Sequence, residues 1–159
     1  MHSLLTLSHL LGVVLATAGA WSIRFEAKRR SVRAWRLFLP AALVILCSLA
    51  LLTGLSNRGK GIWLIAFLVG LPAGVGRAFW LRLRSDHAAK LVRLSPVNDG
   101  FWVAGAAGLF AAIDVFVTLR NGSASPLVAA GGALCAGYLG GRALLTWLRS
   151  RTAVHLDMK

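Results

Sequence analysis

Five long runs of apolar residues divide the chain, at about residues 3–21, 37–55, 61–80, 101–119 and 126–147. The interior of each run carries at most one formal charge. Apolar side chains fall on every face rather than on one stripe, unlike the amphipathic helices of soluble proteins. Each run is long enough to cross a hydrocarbon core of about 30 Å at roughly 1.5 Å per residue. The pattern predicts an all-α integral membrane protein, a bundle of five transmembrane helices forming one domain over residues 1–159.

The segments between the runs differ from side to side. Residues 22–36, 81–100 and 148–159 are basic, whereas 56–60 and 120–125 are short, glycine-containing turns that make neighbouring spans antiparallel. The stretch 24–36 reads as a helical extension lying against headgroups. The segment 81–94 admits two readings. Leu81-Arg82-Leu83-Arg84 alternates with period two, 86–89 can turn and 91–94 can return, which makes a β-hairpin. Alternatively Leu81, Ala88, Leu91 and Val92 mark one face of an amphipathic helix. Pro96, Asn98, Asp99 and Gly100 end either element. The first run contains small-residue motifs that resemble a signal cleavage site. No positive charge precedes it and a basic stretch follows, so it is expected to remain as an uncleaved first span.

Charge sets the expected orientation. Arg24, Lys28, Arg29, Arg30, Arg33 and Arg36 follow the first span. Arg77, Arg82, Arg84, Lys90 and Arg93 surround the third connection, and Arg142, Arg149, Arg151 and Lys159 the C-terminal end. Only Arg58, Lys60 and Arg120 of the 18 Lys and Arg fall on the other side. The positive-inside rule then puts the N-terminus outside and the C-terminus in the cytoplasm, which requires an odd number of spans. Trp21, Trp35, Trp80, Trp102 and Trp147 fall at the expected cytoplasmic interface and Trp63 at the outer one.

Composition narrows the partners. The chain is 57% hydrophobic and 14% charged, with a mean hydropathy of +0.71. A net charge of +13 would suggest nucleic acid in a soluble protein. Here the cations flank apolar runs, so no nucleic-acid partner is expected and anionic headgroups of the bilayer are. Small residues recur at four-residue spacing: Gly12, Ala16, Ala20; Gly70, Gly74; Ala104, Gly108, Ala112; Ala133, Gly137, Gly141. Lipid gives helices no hydrophobic reason to associate, so such stripes mark close helix contact, within the chain, with a second copy or with another membrane protein. Pro72 is expected to kink the third span.

The order of spans and insert, Arg36-Leu37-Phe38-Leu39-Pro40, the glycine-rich third span ending at Arg77, the Asp86-centred turn, and Gly137-Tyr138-Leu139-Gly140-Gly141-Arg142-Ala143-Leu144 together resemble a group of uncharacterised five-span bacterial inner-membrane proteins with a domain of unknown function. The central third is more loosely similar to CcdC-like proteins, linked by name to cytochrome c biogenesis. The resemblance implies a bacterial inner-membrane location and brings no catalytic residue.

Among candidate groups, Asp114 is the acidic residue inside a span. It lies six residues before Arg120, roughly 9 Å along the helix, in the outer third. A carboxylate there is costly unless paired, protonated or wetted. His9 enters the first span from the same side at comparable depth, so the two suit a proton or cation site, or structural packing. Arg77 and Arg142 near the inner ends either snorkel to headgroups or share an anion or lipid-phosphate site. Cys47 and Cys135 lie near mid-span, where a dithiol relay would need them, but neither has a CxxC partner or a charged activator. His2, His9, His87 and His155 are scattered without metal-ligand spacing, and no catalytic constellation is formed. No cofactor or metal is expected. The favoured function is a non-enzymatic accessory or interaction protein of the membrane. The alternatives are a small transporter or ion-handling protein using Asp114, and a thiol-redox component.

Overall fold

A computed structural model of the protein describes residues 2–27, 32–53, 55–81, 83–86, 91–94 and 99–152. Five helices hold most of them: α1 (His2–Ala27), α2 (Phe38–Leu52), α3 (Asn57–Phe79), α4 (Asp99–Asn121) and α5 (Pro126–Thr152). With the turn that precedes α2, all five are long and apolar enough to cross a membrane. The fold is that of a multi-pass membrane protein. The expected turn at 86–89, the cations at 28–30 and the tail beyond Thr152 lie wholly or largely outside the described residues.

Apolar length and helix length differ for physical reasons. Helix α1 continues past Trp21 to Ala27, because a helix satisfies its own backbone whether or not lipid surrounds it. Helix α2 has 15 residues, only about 22 Å of rise. A 3-10 helix at Ala34–Leu37 supplies about 8 Å more. Pro40, third in α2, lies in the first turn, where its missing N–H removes no intrahelical bond. Residues 56–60, expected as a loop, instead start α3: Ser56 Oγ accepts from Gly59 N at 3.3 Å and caps the helix. Helix α3 is continuous through Pro72. At the end of α4, Gly122 takes φ 71° and its N–H bonds the Thr118 carbonyl at 2.8 Å, a left-handed C-cap that turns the chain into α5.

Beside the helices, strand β2 (Leu83–Asp86) pairs antiparallel with β3 (Leu91–Leu94), Leu83 opposite Leu94 and Asp86 opposite Leu91. Strand β1 (Val32–Arg33) takes the other edge of β3. The helical extension expected over 24–36 is met in part: α1 covers residues 24–27 and a 3-10 helix Ala34–Leu37, but Val32 and Arg33 satisfy their backbone against an open sheet edge instead, and residues 28–31 lie outside the described residues.

Helix α5 is the central element and packs on α2, α3 and α4, while α1 packs on α2 and α4. The contact of α3 with α5 is backbone to backbone. A Cβ on Gly70 would lie 2.9 Å from Tyr138 N, one on Gly74 2.9 Å from Arg142 N, and one on Gly137 3.1 Å from Leu71 N. Residue numbers rise together along this contact, so α3 and α5 run parallel. Side chains are absent from both faces, which maximises dispersion contact where lipid supplies no other drive. Gly12 faces Cys47 of α2, and Gly108 faces Ala16 of α1. The small-residue stripes are thus occupied mainly within the chain, although Ala112 is exposed.

Contacts between helix ends define two poles. Arg24 lies over the Phe101 ring, Phe38 packs edge-on against Trp147, and Arg149 reaches the end of α3. This basic end gathers the C-terminal ends of α1, α3 and α5, the N-terminal ends of α2 and α4, and the exposed Trp21, Trp35, Trp80 and Trp102. The opposite end holds Arg58, Lys60 and Arg120, all exposed. Trp63, expected at the outer interface, turns its indole N–H into the bundle. Its Nε1–H donates to Ser48 Oγ at 3.0 Å and to the Ser48 carbonyl at 3.2 Å, and its ring stacks on Phe67.

Candidate functional site

Near the opposite end, the buried face of α4 is a stripe of small residues, Ala104, Ala107, Gly108 and Ala111, continued by Asp114 and Thr118. This periodicity aims the Asp114 carboxylate into the bundle. His9, on the face that α1 turns to α4, meets it: Nδ1 lies 3.1 Å from Asp114 Oδ2, and both side chains are 0% exposed. The other ring nitrogen, Nε2, faces the Thr53 carbonyl at 3.4 Å, and Thr118 Oγ1 is 3.5 Å from Nδ1. Asp114 Oδ1 accepts the Ser125 N–H at 2.9 Å, from the connection between α4 and α5. Oδ2 has no aligned hydrogen-bond partner among the described residues; its close approach to His9 is off the hydrogen-bond direction.

These contacts assign the tautomer. A carbonyl only accepts, so Nε2 carries a hydrogen. One further proton on the pair gives imidazolium with carboxylate or imidazole with carboxylic acid. Both forms are net neutral, which is what a buried site in low dielectric favours. Removing or adding a proton leaves an isolated buried charge.

At the basic end, Arg77 and Arg142 do come together, around a carboxylate of the same chain. Arg77 Nε donates to Asp99 Oδ2 at 2.8 Å, and Arg142 Nη1 lies 3.1 Å from Asp99 Oδ1. The Tyr138 hydroxyl donates to Oδ2 at 3.0 Å, and the Gly100 N–H to Oδ1 at 2.8 Å. Asp99 opens α4, where the helix dipole also favours a negative charge. The cluster ties α3, α4 and α5 together and keeps one net positive charge. Arg77 is 40% exposed and Arg142 15%.

Asp99 and Tyr138 escape the sequence reading. Asp99 sits in a turn signal, and its tie to two arginines depends on how far α5 slides along α3. One clue was available: two arginines inside apolar runs need a counter-ion, and few acidic residues are on offer. Arg149 is a further omission. Its Nη1 donates to the carbonyls of Ala78, Phe79 (3.1 Å) and Leu81 (3.1 Å), closing the C-terminal end of α3. Cys47 and Cys135 are buried free thiols on α2 and α5. No group of three or more metal-ligating side chains occurs among the described residues.

Comparison of the chain with protein-family models, with curated proteins and with solved structures finds no match in any of the three.

Proposed function

We infer that the protein is a non-enzymatic accessory or interaction protein of a bacterial cytoplasmic membrane, with its N-terminus outside and its C-terminus in the cytoplasm. Its basic end, with the hairpin of β2 and β3 beside it, meets anionic lipid headgroups. One observation carries this reading: Arg24, Arg36, Arg77, Arg142, Arg149 and Arg151 share the end ringed by exposed tryptophans, against Arg58, Lys60 and Arg120 at the other. Anionic headgroups attract such a surface by about 1 kcal/mol for each cation near it. The resemblance to five-span bacterial inner-membrane proteins supports the same location. The test compares thermal stability in nanodiscs of phosphatidylglycerol and of phosphatidylcholine. Wild type is expected to be more stable in the anionic lipid, and Arg24→Gln with Arg36→Gln to lose much of that gain. Equal stability in both lipids refutes the reading.

A second reading is favoured by a separate observation, the 3.1 Å approach of His9 Nδ1 to Asp114 Oδ2 in a fully buried place. Intramembrane ionisable pairs of this kind are the usual parts of proton and ion sites. In this reading the protein handles protons through Asp114. The buried thiols Cys47 and Cys135 support neither reading.

A further inference from the structure

We propose that His9 and Asp114 form a proton-binding site loaded from the end of the bundle that holds Thr53 and Ser125, and closed toward the basic end. This rests on the second reading above, that the pair handles protons, and specifies the route.

The geometry has a wet side and a dry side. On the wet side, the imidazole stands between the buried carboxylate and the Thr53 carbonyl, and Thr53 is exposed. Ser8 Oγ is 2.9 Å from Thr53 Oγ1, so two hydroxyls lie beside that carbonyl. With Nε2–H held on the Thr53 carbonyl, a proton arriving at the pair in its imidazole–carboxylate form is taken by Oδ2 or by Nδ1, the two atoms 3.1 Å apart, and Nε2 keeps its hydrogen throughout. A second cover is the α4–α5 connection, where residues 121–123 are exposed and 124–126 half-buried, held down by the Ser125 N–H on Oδ1. Oδ2 has no aligned donor, so it is free to take a proton without breaking an existing hydrogen bond.

On the dry side, the core between Asp114 and the Asp99 cluster holds Ala16, Ala104, Ala107, Ala111, Ala133 and Ala136, all 0% exposed, together with the buried thiols of Cys47 on α2, which faces Gly12 of α1, and Cys135 on α5. Methyl groups neither donate nor accept, so they cannot pass a proton on. The elements around the pair bring no further buried charge among the described residues. Helix α1 offers Ser8, the end of α2 offers Thr53, α4 offers Thr118 and the connection offers Ser125. Arg58, Lys60 and Arg120 at the same end are exposed. Proton binding here changes the charge of a closed site and moves no proton across.

The experiment combines two measurements on the full chain. In nanodiscs, nitrogen NMR of labelled histidine, with His9 assigned by His9→Gln, and infrared detection of the Asp114 carboxylic acid follow the pair between about pH 4 and pH 9. In proteoliposomes, an enclosed pH dye reads proton flux under an imposed gradient. Expected are a pH response of His9 that changes in Asp114→Asn, and a flux equal to that of protein-free vesicles. Asp114→Asn keeps an acceptor for Ser125, and wild-type spectra serve alone if it fails to fold. Flux above the protein-free level that is lost in Asp114→Asn overturns the closed route and leaves the proton-handling reading standing. A His9 signal that does not change with pH overturns both.

Discussion

Consider Gly74→Ala, one methyl group added where α3 touches α5. The new Cβ would lie 2.7 Å from the Tyr138 carbonyl carbon and 2.9 Å from Arg142 N, and closer still to the Tyr138 carbonyl oxygen, against an ordinary contact of 3.4 Å or more. Backbone cannot rotate away as a side chain can, so the two helices must part locally by roughly 1 Å, which forfeits about half of each dispersion contact along that stretch. Overpacking of this kind costs about 1–3 kcal/mol. Arg77 lies one turn further along α3, so the same displacement strains its bond to Asp99. Gly76→Ala is the internal control. Gly76 has nothing within 4 Å of a built Cβ, and there alanine relieves the helix of roughly 0.5–1 kcal/mol of glycine's conformational cost. The same substitution two residues apart is thus expected to have opposite signs. Thermal unfolding in nanodiscs should place Gly74→Ala about 2–12 °C below wild type and Gly76→Ala at or slightly above it. A Gly74→Ala protein as stable as wild type, or a Gly76→Ala protein equally damaged, would refute the backbone-contact account.

Other substitutions test the remaining ties. Asp114→Ala strands the Ser125 N–H and leaves His9 buried beside an empty place, which should cost about 3–5 kcal/mol, while Asp114→Asn should stay within about 1 kcal/mol of wild type in thermal unfolding. Arg149→Ala exposes three carbonyls at the end of α3 and should cost about 1–3 kcal/mol, seen as faster amide exchange around Phe79 and Leu81. Asp99→Ala leaves Arg77 and Arg142 facing each other without their carboxylate; stability should fall in phosphatidylcholine nanodiscs, whose phosphate is neutralised by choline, and recover partly in phosphatidylglycerol, whose net negative headgroup takes the vacant place. Identical losses in the two lipids would show that these guanidinium groups do not accept a headgroup.

The spans were legible because lipid tolerates few charges, so a run of apolar residues is a direct record of the bilayer. Where helices begin and end was less legible. Hydropathy reports the lipid-facing length, whereas α1 follows its own hydrogen bonds to Ala27 and α3 starts at the Ser56 cap before its apolar run. A serine ahead of the run was the available signal for that cap. The depth match of His9 and Asp114 could be read, since short turns fix antiparallel neighbours and each residue counts from the same end. Asp99 could not be read in the same way. Its partners come from α3 and α5, a parallel pair whose relative slide is set by which carbonyl each glycine admits. Trp63 shows the same limit: an aromatic near a span end is an interfacial anchor by composition, yet a hydroxyl on the neighbouring helix claims its N–H.

The central claim is that five spans carry the chain across a bilayer with its cations collected on one side. Single cysteines placed at Arg36, Arg58, Gly122 and Arg151 in a background with Cys47 and Cys135 replaced, labelled in sealed vesicles with an impermeant maleimide, test it directly. Arg36 and Arg151 should react from one side, and Arg58 and Gly122 only from the other. Reaction of Arg36 and Arg151 from opposite sides, or of all four positions from the same side, would contradict the fold.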